Sequence, residues 1–154
     1  MAGSVTRAAW TGGCLCGGVR YEIGGRPEPI SFCHCGQCRR QHSHVGAYTG
    51  APRATVRLTA DSTLAWYASS DQARRGFCAR CGAGIFWDAL DGGPRITITA
   101  GSLDDATGLH ADRHILVDCK GPYYEIGADG LERRSSTGEI LMSGKSMKDG
   151  GHEQ

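Results

Sequence analysis

The sequence has few of the features that mark membrane, secreted or nucleic-acid-binding proteins. No apolar run reaches the roughly 18 residues that a membrane helix needs, and residues 1–7 form no apolar segment of the secretory kind. Seventeen basic and sixteen acidic residues give a net charge of +1, which offers little attraction to nucleic acid. We therefore expect a cytoplasmic protein that binds neither membranes nor nucleic acid.

Proline is also scarce, with five residues, whereas the 24 glycines are about twice the usual share of roughly 7%. The segments Val19–Ile23 and Arg95–Thr99 alternate apolar and polar residues, which is the pattern of half-buried strands. We find no long helical pattern. The sequence therefore predicts a mainly β domain with little helix over residues 1–134. Residues 135–154 contain few apolar side chains, and we predict a mostly disordered tail there.

Further short strands are predicted between the glycine-rich turns. They fall at 30–32, 45–49, 55–59, 63–67, 83–87 and 114–118, with one or two helical turns at 39–44. Asp91-Gly92-Gly93-Pro94 is strong turn chemistry, so residues 83–99 are expected to form a hairpin.

Cysteine is the residue that organises the chain, because seven of the eight cysteines fall into three tight clusters. The clusters are Cys14/Cys16, Cys33/Cys35/Cys38 and Cys78/Cys81. Thiolates are preferred ligands of zinc, and a C-x-x-C turn aims two sulfurs at one point. Clustered cysteines in a reduced compartment favour metal binding over disulfides. The sequence therefore predicts a metal–thiolate protein.

The number of sulfurs in each set suggests two different zinc sites. The two outer pairs, Cys14/Cys16 and Cys78/Cys81, supply four ligands, which would close a tetrahedral structural site. Cys33, Cys35 and Cys38 supply three, which leaves one position for a small thiol. If Cys14 and Cys16 lie on a regular strand, both sulfurs point to one face. Gly36 is expected to let the second turn curl around its ion.

Several alternatives compete with this division. One outer pair can be ordinary core thiols, and the three-cysteine set can be a second structural site closed by Cys119 or a histidine. His42, His44 and His114 are the candidate histidines, although Cys119 fits a small buried residue better than a ligand. His34 can be a supporting polar group or a surface residue. Arg39 and Arg40 can bind the carboxylates of a thiol or simply face solvent.

Three ordered motifs carry a family resemblance from about Trp10 to Ile126. They are T-G-G-C-L-C-G-G-V-R-Y from Thr11, C-H-C-G-Q-C-R-R from Cys33 and F-C-A-R-C-G from Phe77. These motifs resemble the glutathione-dependent formaldehyde-activating enzyme family, which also includes centromere protein V. The resemblance implies an Mss4-like β fold, a structural zinc at Cys14, Cys16, Cys78 and Cys81, and a catalytic zinc at Cys33, Cys35 and Cys38. It also implies that the protein adds glutathione to formaldehyde. The reverse reaction breaks a carbon–sulfur bond and is a carbon–sulfur lyase activity.

We therefore expect a zinc-dependent enzyme that forms or breaks an adduct between a glutathione-like thiol and an aldehyde. The alternative is a non-catalytic zinc module that binds a macromolecular partner, for which an all-β fold offers strand edges. An iron–sulfur site is a third hypothesis, but C-x-C-x-x-C does not match the common cluster spacings.

Overall fold

The computed structural model of the protein describes residues 9–144 and divides the chain into two compact units. Within the described residues, unit 1 comprises 9–30 together with Ala47–His110, and unit 2 comprises Ser31–Gly46 together with 111–144. Strands account for 43% and helices for 12% of the structure. The predicted mainly β fold class with little helix is confirmed.

The described residues form twelve strands and one α-helix. In chain order these are β1 (Trp10–Gly13), β2 (Arg20–Ile23), β3 (Ile30–Cys33), α1 (Gly36–His42), β4 (Gly46–Pro52), β5 (Val56–Ala60), β6 (Leu64–Ala68), β7 (Ala73–Cys78), β8 (Gly84–Ala89), β9 (Arg95–Thr99), β10 (Ala111–Ile115), β11 (Glu132–Arg134) and β12 (Ile140–Met142). No helix of residues 9–144 combines the length and apolar character that a membrane span requires.

Unit 1 contains two antiparallel arrays of strands. One has the order β1-β2-β5, and the other has the order β4-β9-β8-β7-β6. Tyr21 of β2 packs on Phe86 of β8 with ring centroids 5.6 Å apart, so the two arrays share one core. The alternation predicted for β9 is confirmed, because Ile96 and Ile98 are buried. The predicted hairpin is also confirmed, since β8 and β9 pair antiparallel.

A buried carboxylate joins β7 and β8, the two strands that flank the Cys78/Cys81 turn. Asp88 accepts from Arg74 Nη2 over 2.9 Å and also from Arg53 Nη2. Burial by itself would raise the pKa of Asp88, but the bonds from Arg53 and Arg74 outweigh it and hold that pKa below its usual value. An ionised, doubly paired Asp88 therefore helps to fix the strands that present Cys78.

Unit 2 is built from four neighbouring strands and the helix α1. The strand order is β12-β11-β10-β3, in which β10 and β11 are parallel and β11 and β12 are antiparallel. The His34 amide just after β3 donates to the Ile115 carbonyl at the end of β10 over 3.1 Å. The turn that contains Cys33, Cys35 and Cys38 is therefore tied to the strand that carries His114.

The structure differs from the predicted elements at several positions. Strand β7 was not predicted, because Arg74-Arg75-Gly76 interrupts its apolar pattern, although Ala73, Arg75 and Gly76 are buried. The last predicted strand is shifted: β10 ends at Ile115, and residues 117–119 form a 3₁₀ turn. Strand β12 lies within the predicted disordered tail, where pairing with β11 orders three apolar residues; the remainder, 145–154, lies outside the described residues.

Candidate functional site

The four outer cysteines come together in unit 1. We call this group the quartet: Cys14, Cys16, Cys78 and Cys81. Cys14 and Cys16 lie in the turn between β1 and β2, and Cys78 ends β7 just before the turn that contains Cys81. The expectation that Cys14 and Cys16 share the face of a regular strand is therefore wrong. The turn itself brings the two sulfurs together. It is closed by a hydrogen bond from the Cys14 amide to the Val19 carbonyl over 3.0 Å.

The quartet has the spacing that one tetrahedral ion requires. All four sulfurs lie within 4.8 Å of one another, and Cys16 Sγ is 3.7 Å from Cys14 Sγ and 3.6 Å from Cys78 Sγ. Four sulfurs each about 2.3 Å from zinc would lie about 3.8 Å apart. Cys14 and Cys78 are buried, whereas Cys16 is exposed and Cys81 is partly exposed. The sulfur donors and their distances therefore fit a closed metal site.

Polar donors favour the ionised sulfur of two quartet residues, Cys14 and Cys78. Cys14 Sγ accepts the Val19 amide over 3.2 Å, and Cys78 Sγ accepts the Cys81 amide over 3.4 Å. Thr63 Oγ1 lies 3.1 Å from Cys78 Sγ, and this hydroxyl is the main reason that the pKa of Cys78 falls to about 6. Ligand-supporting hydrogen bonds of this kind orient thiolates and hold their charge.

The three-cysteine group, which we call the trio, lies in unit 2 on a single short segment. Cys33 ends β3, Cys35 caps the N-terminus of α1, and Cys38 lies inside that helix. The three sulfurs lie within 4.8 Å of one another, and Cys35 Sγ accepts the Cys38 amide over 3.3 Å. Gly36 is the first residue of α1, and an added Cβ there would meet no atom within 4 Å. The turn therefore does not depend on glycine at Gly36, contrary to our expectation.

Cys35 is the least buried sulfur of the trio, and the pKa values of Cys35 and Cys33 shift in opposite directions. Cys33 and Cys38 are 6% and 3% exposed, whereas Cys35 is more accessible. Contacts from the Cys33 and Cys38 thiols lower the pKa of Cys35, and contacts with Cys35 and Cys38 raise the pKa of Cys33. Three soft donors at this spacing fit a metal ion, and they provide one ligand fewer than the quartet.

None of the proposed fourth ligands joins the trio within residues 9–144. Only the three sulfurs form the group there, which excludes Cys119, His42, His44 and His114 from it in this structure. Cys119 is exposed rather than buried, and its thiol lies 3.9 Å from Asp118 Oδ1. His44 Nδ1 contacts the Tyr123 hydroxyl over 2.8 Å. Both ring nitrogens of His114 have other hydrogen-bond partners: Nδ1 contacts His34 Nε2, and Nε2 contacts Asp129 Oδ2.

The side chain of His34 is buried beside the trio and is not a surface histidine. It is 3% exposed, and its Nδ1 and Nε2 atoms lie 2.6 Å from Tyr124 Oη and 2.8 Å from His114 Nδ1. Burial, followed by the charge of His114, lowers the pKa of His34 to about 4. His34 is therefore a neutral hydrogen-bonding group at neutral pH.

Tyr124 and Asp129 are functional candidates that the sequence did not indicate. Their contacts with His34 and His114 span 90 and 15 residues respectively, so no local motif points to them. Burial raises the pKa of Tyr124, and the charges of Tyr123 and Cys33 act in the same direction, which keeps the phenol protonated.

The two arginines that follow the trio have different surroundings. Arg40 is exposed, whereas Arg39 is half-buried and its side chain lies close to Gly121. The charge of Arg39 acts on Tyr124, so this guanidinium lies within electrostatic range of the phenol. Of the two, Arg39 is the better placed to meet an anionic group near Tyr124.

Comparison with known proteins assigns the chain to a family. Residues 9–118 match the glutathione-dependent formaldehyde-activating enzyme family. The chain belongs to this family. The matched segment contains all seven clustered cysteines, so the quartet and the trio both lie within the part of the chain that matches the family.

Two known proteins are similar to the chain, one in sequence and one in fold. A protein of Schizosaccharomyces pombe, described as an uncharacterized lyase, is 26% identical over 118 residues, which cover 76% of this chain and 85% of the yeast protein. The crystal structure of a Rhodobacter sphaeroides protein aligns with a TM-score of 0.53 at 20% identity, covering 64% of this chain and 91% of that chain. The second similarity concerns the fold alone.

Proposed function

We propose that the protein is a zinc-dependent enzyme of the carbon–sulfur lyase type, acting on a glutathione-like thiol and a small aldehyde such as formaldehyde. The observation that carries this proposal is the trio: three convergent sulfurs, one of them accessible, with no fourth side-chain ligand among residues 9–144. Family membership supports the thiol and aldehyde substrates. The lyase description of the yeast relative supports the type of reaction.

The quartet and the trio would have different roles in this enzyme. Cys14, Cys16, Cys78 and Cys81 would hold a structural zinc, because four thiolates saturate a tetrahedral ion. Cys33, Cys35 and Cys38 would hold the catalytic zinc. When bound there, zinc would supply positive charge that favours the thiolate form of a substrate thiol.

The remaining residues near the trio would bind and orient the substrate. Arg39 has the charge and the planar geometry to pair with a carboxylate of a glutathione-like thiol. In the addition reaction, the thiol sulfur forms a bond to the aldehyde carbon, and the carbon–oxygen double bond becomes a single bond. The thiol proton ends on the oxygen, which becomes a hydroxyl group. Holding thiol and aldehyde together would supply part of the rate enhancement.

The test measures adduct exchange by NMR with glutathione and ¹³C-labelled formaldehyde in the presence of zinc-loaded protein. We expect exchange faster than in the protein-free control, and we expect Cys35→Ser to reduce it to that background. Cys119→Ser is the matched control, because it removes an exposed thiol outside both groups. A wild-type rate equal to the protein-free rate would contradict the formaldehyde reaction, and full activity of Cys35→Ser would contradict the role of the trio.

A non-catalytic role in binding a macromolecular partner is the second candidate, and one observation favours it. Strand β12 ends the strand order of unit 2, and its three apolar residues Ile140, Leu141 and Met142 are 50%, 54% and 44% exposed. An apolar edge strand suits pairing with a strand of another protein. If this is the principal role, Leu141→Lys should abolish capture of a cellular partner, whereas Cys35→Ser should leave capture intact.

A further inference from the structure

Unit 2 contains a cavity whose wall is mainly apolar. Its volume is about 290 Å³, which is at the lower end of the roughly 300–1,000 Å³ of small-molecule sites. The apolar part of the wall consists of Val117, Ile126, Leu141 and Met142. All seven clustered cysteines lie outside the lining of this cavity. The cavity is therefore built from other side chains than the quartet and the trio.

Tertiary contacts join the two sides of this cavity. Met142 of β12 lies directly across from Arg133 of β11, so these two side chains share one face of the strand pair. The amide and the hydroxyl of Ser136 donate to the Asp118 carboxylate over 2.7 and 2.6 Å. This contact ties the turn after β11 to the 3₁₀ turn at residues 117–119. The strand side and the turn side of the cavity are therefore fixed to each other.

Two basic side chains, Lys120 and Arg133, also line the cavity. Arg133 Nη2 donates to the carbonyls of Ile126 and Gly127 over 3.2 and 2.5 Å. Its Nε is buried and has no hydrogen-bond partner in the described part of the chain. Lys120 Nζ donates to the Tyr124 carbonyl over 2.7 Å. Both cations are therefore held mainly by neutral carbonyl groups.

The acidic side chains around the cavity do not neutralise both cations. Glu125 Oε1 is 3.8 Å from Lys120 Nζ, but the Glu125 side chain is 90% exposed, so water screens this pair. Three other carboxylates have partners elsewhere: Asp118 with Ser136, Asp129 with His114, and Glu132 with Arg134. Two cations and one carboxylate in the lining leave a charge of +1. Because a positive charge beside apolar groups is poorly solvated, an anion in the cavity would be stabilised.

We propose that this cavity binds a small monocarboxylate with an apolar body, such as an aromatic or branched-chain carboxylate. The apolar wall would contact the body, and Lys120 and Arg133 would face the carboxylate. A single negative charge matches the lining better than the nearly two charges of a phosphate monoester do. This inference goes beyond the proposed function, because six of the seven lining residues follow the family match, which ends at residue 118.

The first experiment titrates zinc-loaded, ¹⁵N-labelled full-length protein with benzoate. The Nε–H signal of Arg133 and the backbone amides of residues 117–126 report binding in ¹H–¹⁵N spectra. Acetate has the charge without the apolar body, and benzamide has nearly the shape of benzoate without the charge. We expect saturable shifts with benzoate and affinities about tenfold or more weaker for both acetate and benzamide.

Each outcome of this titration bears on one part of the proposal. No saturable shift of the cavity signals with benzoate would overturn the site itself. Equal affinities for benzoate and benzamide would overturn the role of the two cations. Equal affinities for benzoate and acetate would overturn the role of the apolar wall. These comparisons use only the wild-type protein, so they hold even where a variant fails to fold.

The second experiment removes each positive charge in turn. Lys120→Met and Arg133→Met keep an unbranched apolar side chain, and we expect each to weaken benzoate binding about tenfold or more. Arg134→Met is the matched control, because Arg134 is the next residue of β11, donates to Glu132 and does not line the cavity. Thermal unfolding checks that each variant is folded. An equal loss of affinity in Arg134→Met would show attraction to surface charge in general and overturn the site.

Two further measurements separate this cavity from the trio. Cys35→Ser should bind benzoate with unchanged affinity, and glutathione should not displace benzoate. Displacement of benzoate by glutathione would overturn the separate site and assign the cavity to the thiol substrate. A wild-type protein that binds benzoate but does not accelerate adduct exchange would remove the proposed lyase activity and leave the carboxylate site in place.

Discussion

The quartet and the trio both consist of cysteine sulfurs, yet they are built from very different lengths of chain. The quartet joins two turns of unit 1, and its contact between Cys16 and Cys78 spans 62 residues. The trio occupies six consecutive residues, from Cys33 to Cys38. An ion that closes a long loop restricts the unfolded chain far more than one that binds a single turn. The comparison therefore predicts that the quartet stabilises the fold and that the trio is available for chemistry.

The largest effect is expected when the quartet loses its most buried sulfur. Cys78 is fully buried and contacts Cys16 and Thr63, so Cys78→Ser should release one metal and leave polar groups unpaired. We expect the free energy of unfolding to fall by more than about 3 kcal/mol, because structural zinc contributes folding free energy directly. Denaturant unfolding and metal analysis measure both quantities. An unchanged unfolding midpoint would contradict the structural role.

A change in the trio should separate activity from stability. Cys35→Ser removes a partly exposed sulfur at a helix cap whose serine hydroxyl can still accept the Cys38 amide. We expect the second metal and the adduct exchange to be lost, while the free energy of unfolding changes by less than about 1 kcal/mol. Metal analysis, NMR exchange and thermal unfolding on one preparation test this. A loss of stability as large as that of Cys78→Ser would erase the distinction between the two groups.

A smaller effect is expected from the hydroxyl that supports the quartet. Thr63→Val keeps the shape of the side chain but removes the hydroxyl 3.1 Å from Cys78 Sγ. Loss of such a ligand-supporting bond typically weakens metal affinity by about tenfold or more. A competition titration with a chromophoric chelator measures the change. Thr55→Val is the control, because the Thr55 hydroxyl contacts the Pro52 carbonyl, and equal affinities for the two variants would contradict the prediction.

The smallest effect compares one glycine from each cysteine turn. Gly82 follows the quartet residue Cys81 with φ +77°, a backbone conformation that side chains disfavour, whereas Gly36 begins helix α1 with open space around it. We expect Gly82→Ala to lower the free energy of unfolding by about 1 kcal/mol and Gly36→Ala to be neutral or slightly stabilising. Thermal unfolding of the pair measures the difference. The reverse order would show that the trio turn is the more constrained one.

Much of the fold and both cysteine groups were predictable from the sequence for a local reason. Strand alternation in β9, the hairpin of β8 and β9, and the clustering of cysteines are all features of short segments. Strand β7 was missed because its buried residues include Arg75 and Gly76, and a charged residue beside a glycine does not indicate a buried strand in the sequence. The strand placement of Cys14 and Cys16 was wrong because turn geometry, and not strand periodicity, brings those two sulfurs together.

The sequence by itself determined the supply of sulfur atoms: four cysteines in two outer pairs, three in one turn, and a mainly β chain to hold them. Only the tertiary structure decided which polar groups surround the sulfurs. Thr63 reaches Cys78 across 15 residues, and Tyr124 reaches His34 across 90. The type and spacing of the sulfur atoms follow from neighbouring residues in the sequence, whereas the hydrogen bonds of His34 and His114 join side chains that meet only after the strands have paired. Asp129, far from any cysteine motif in sequence, therefore enters the candidate site through folding alone.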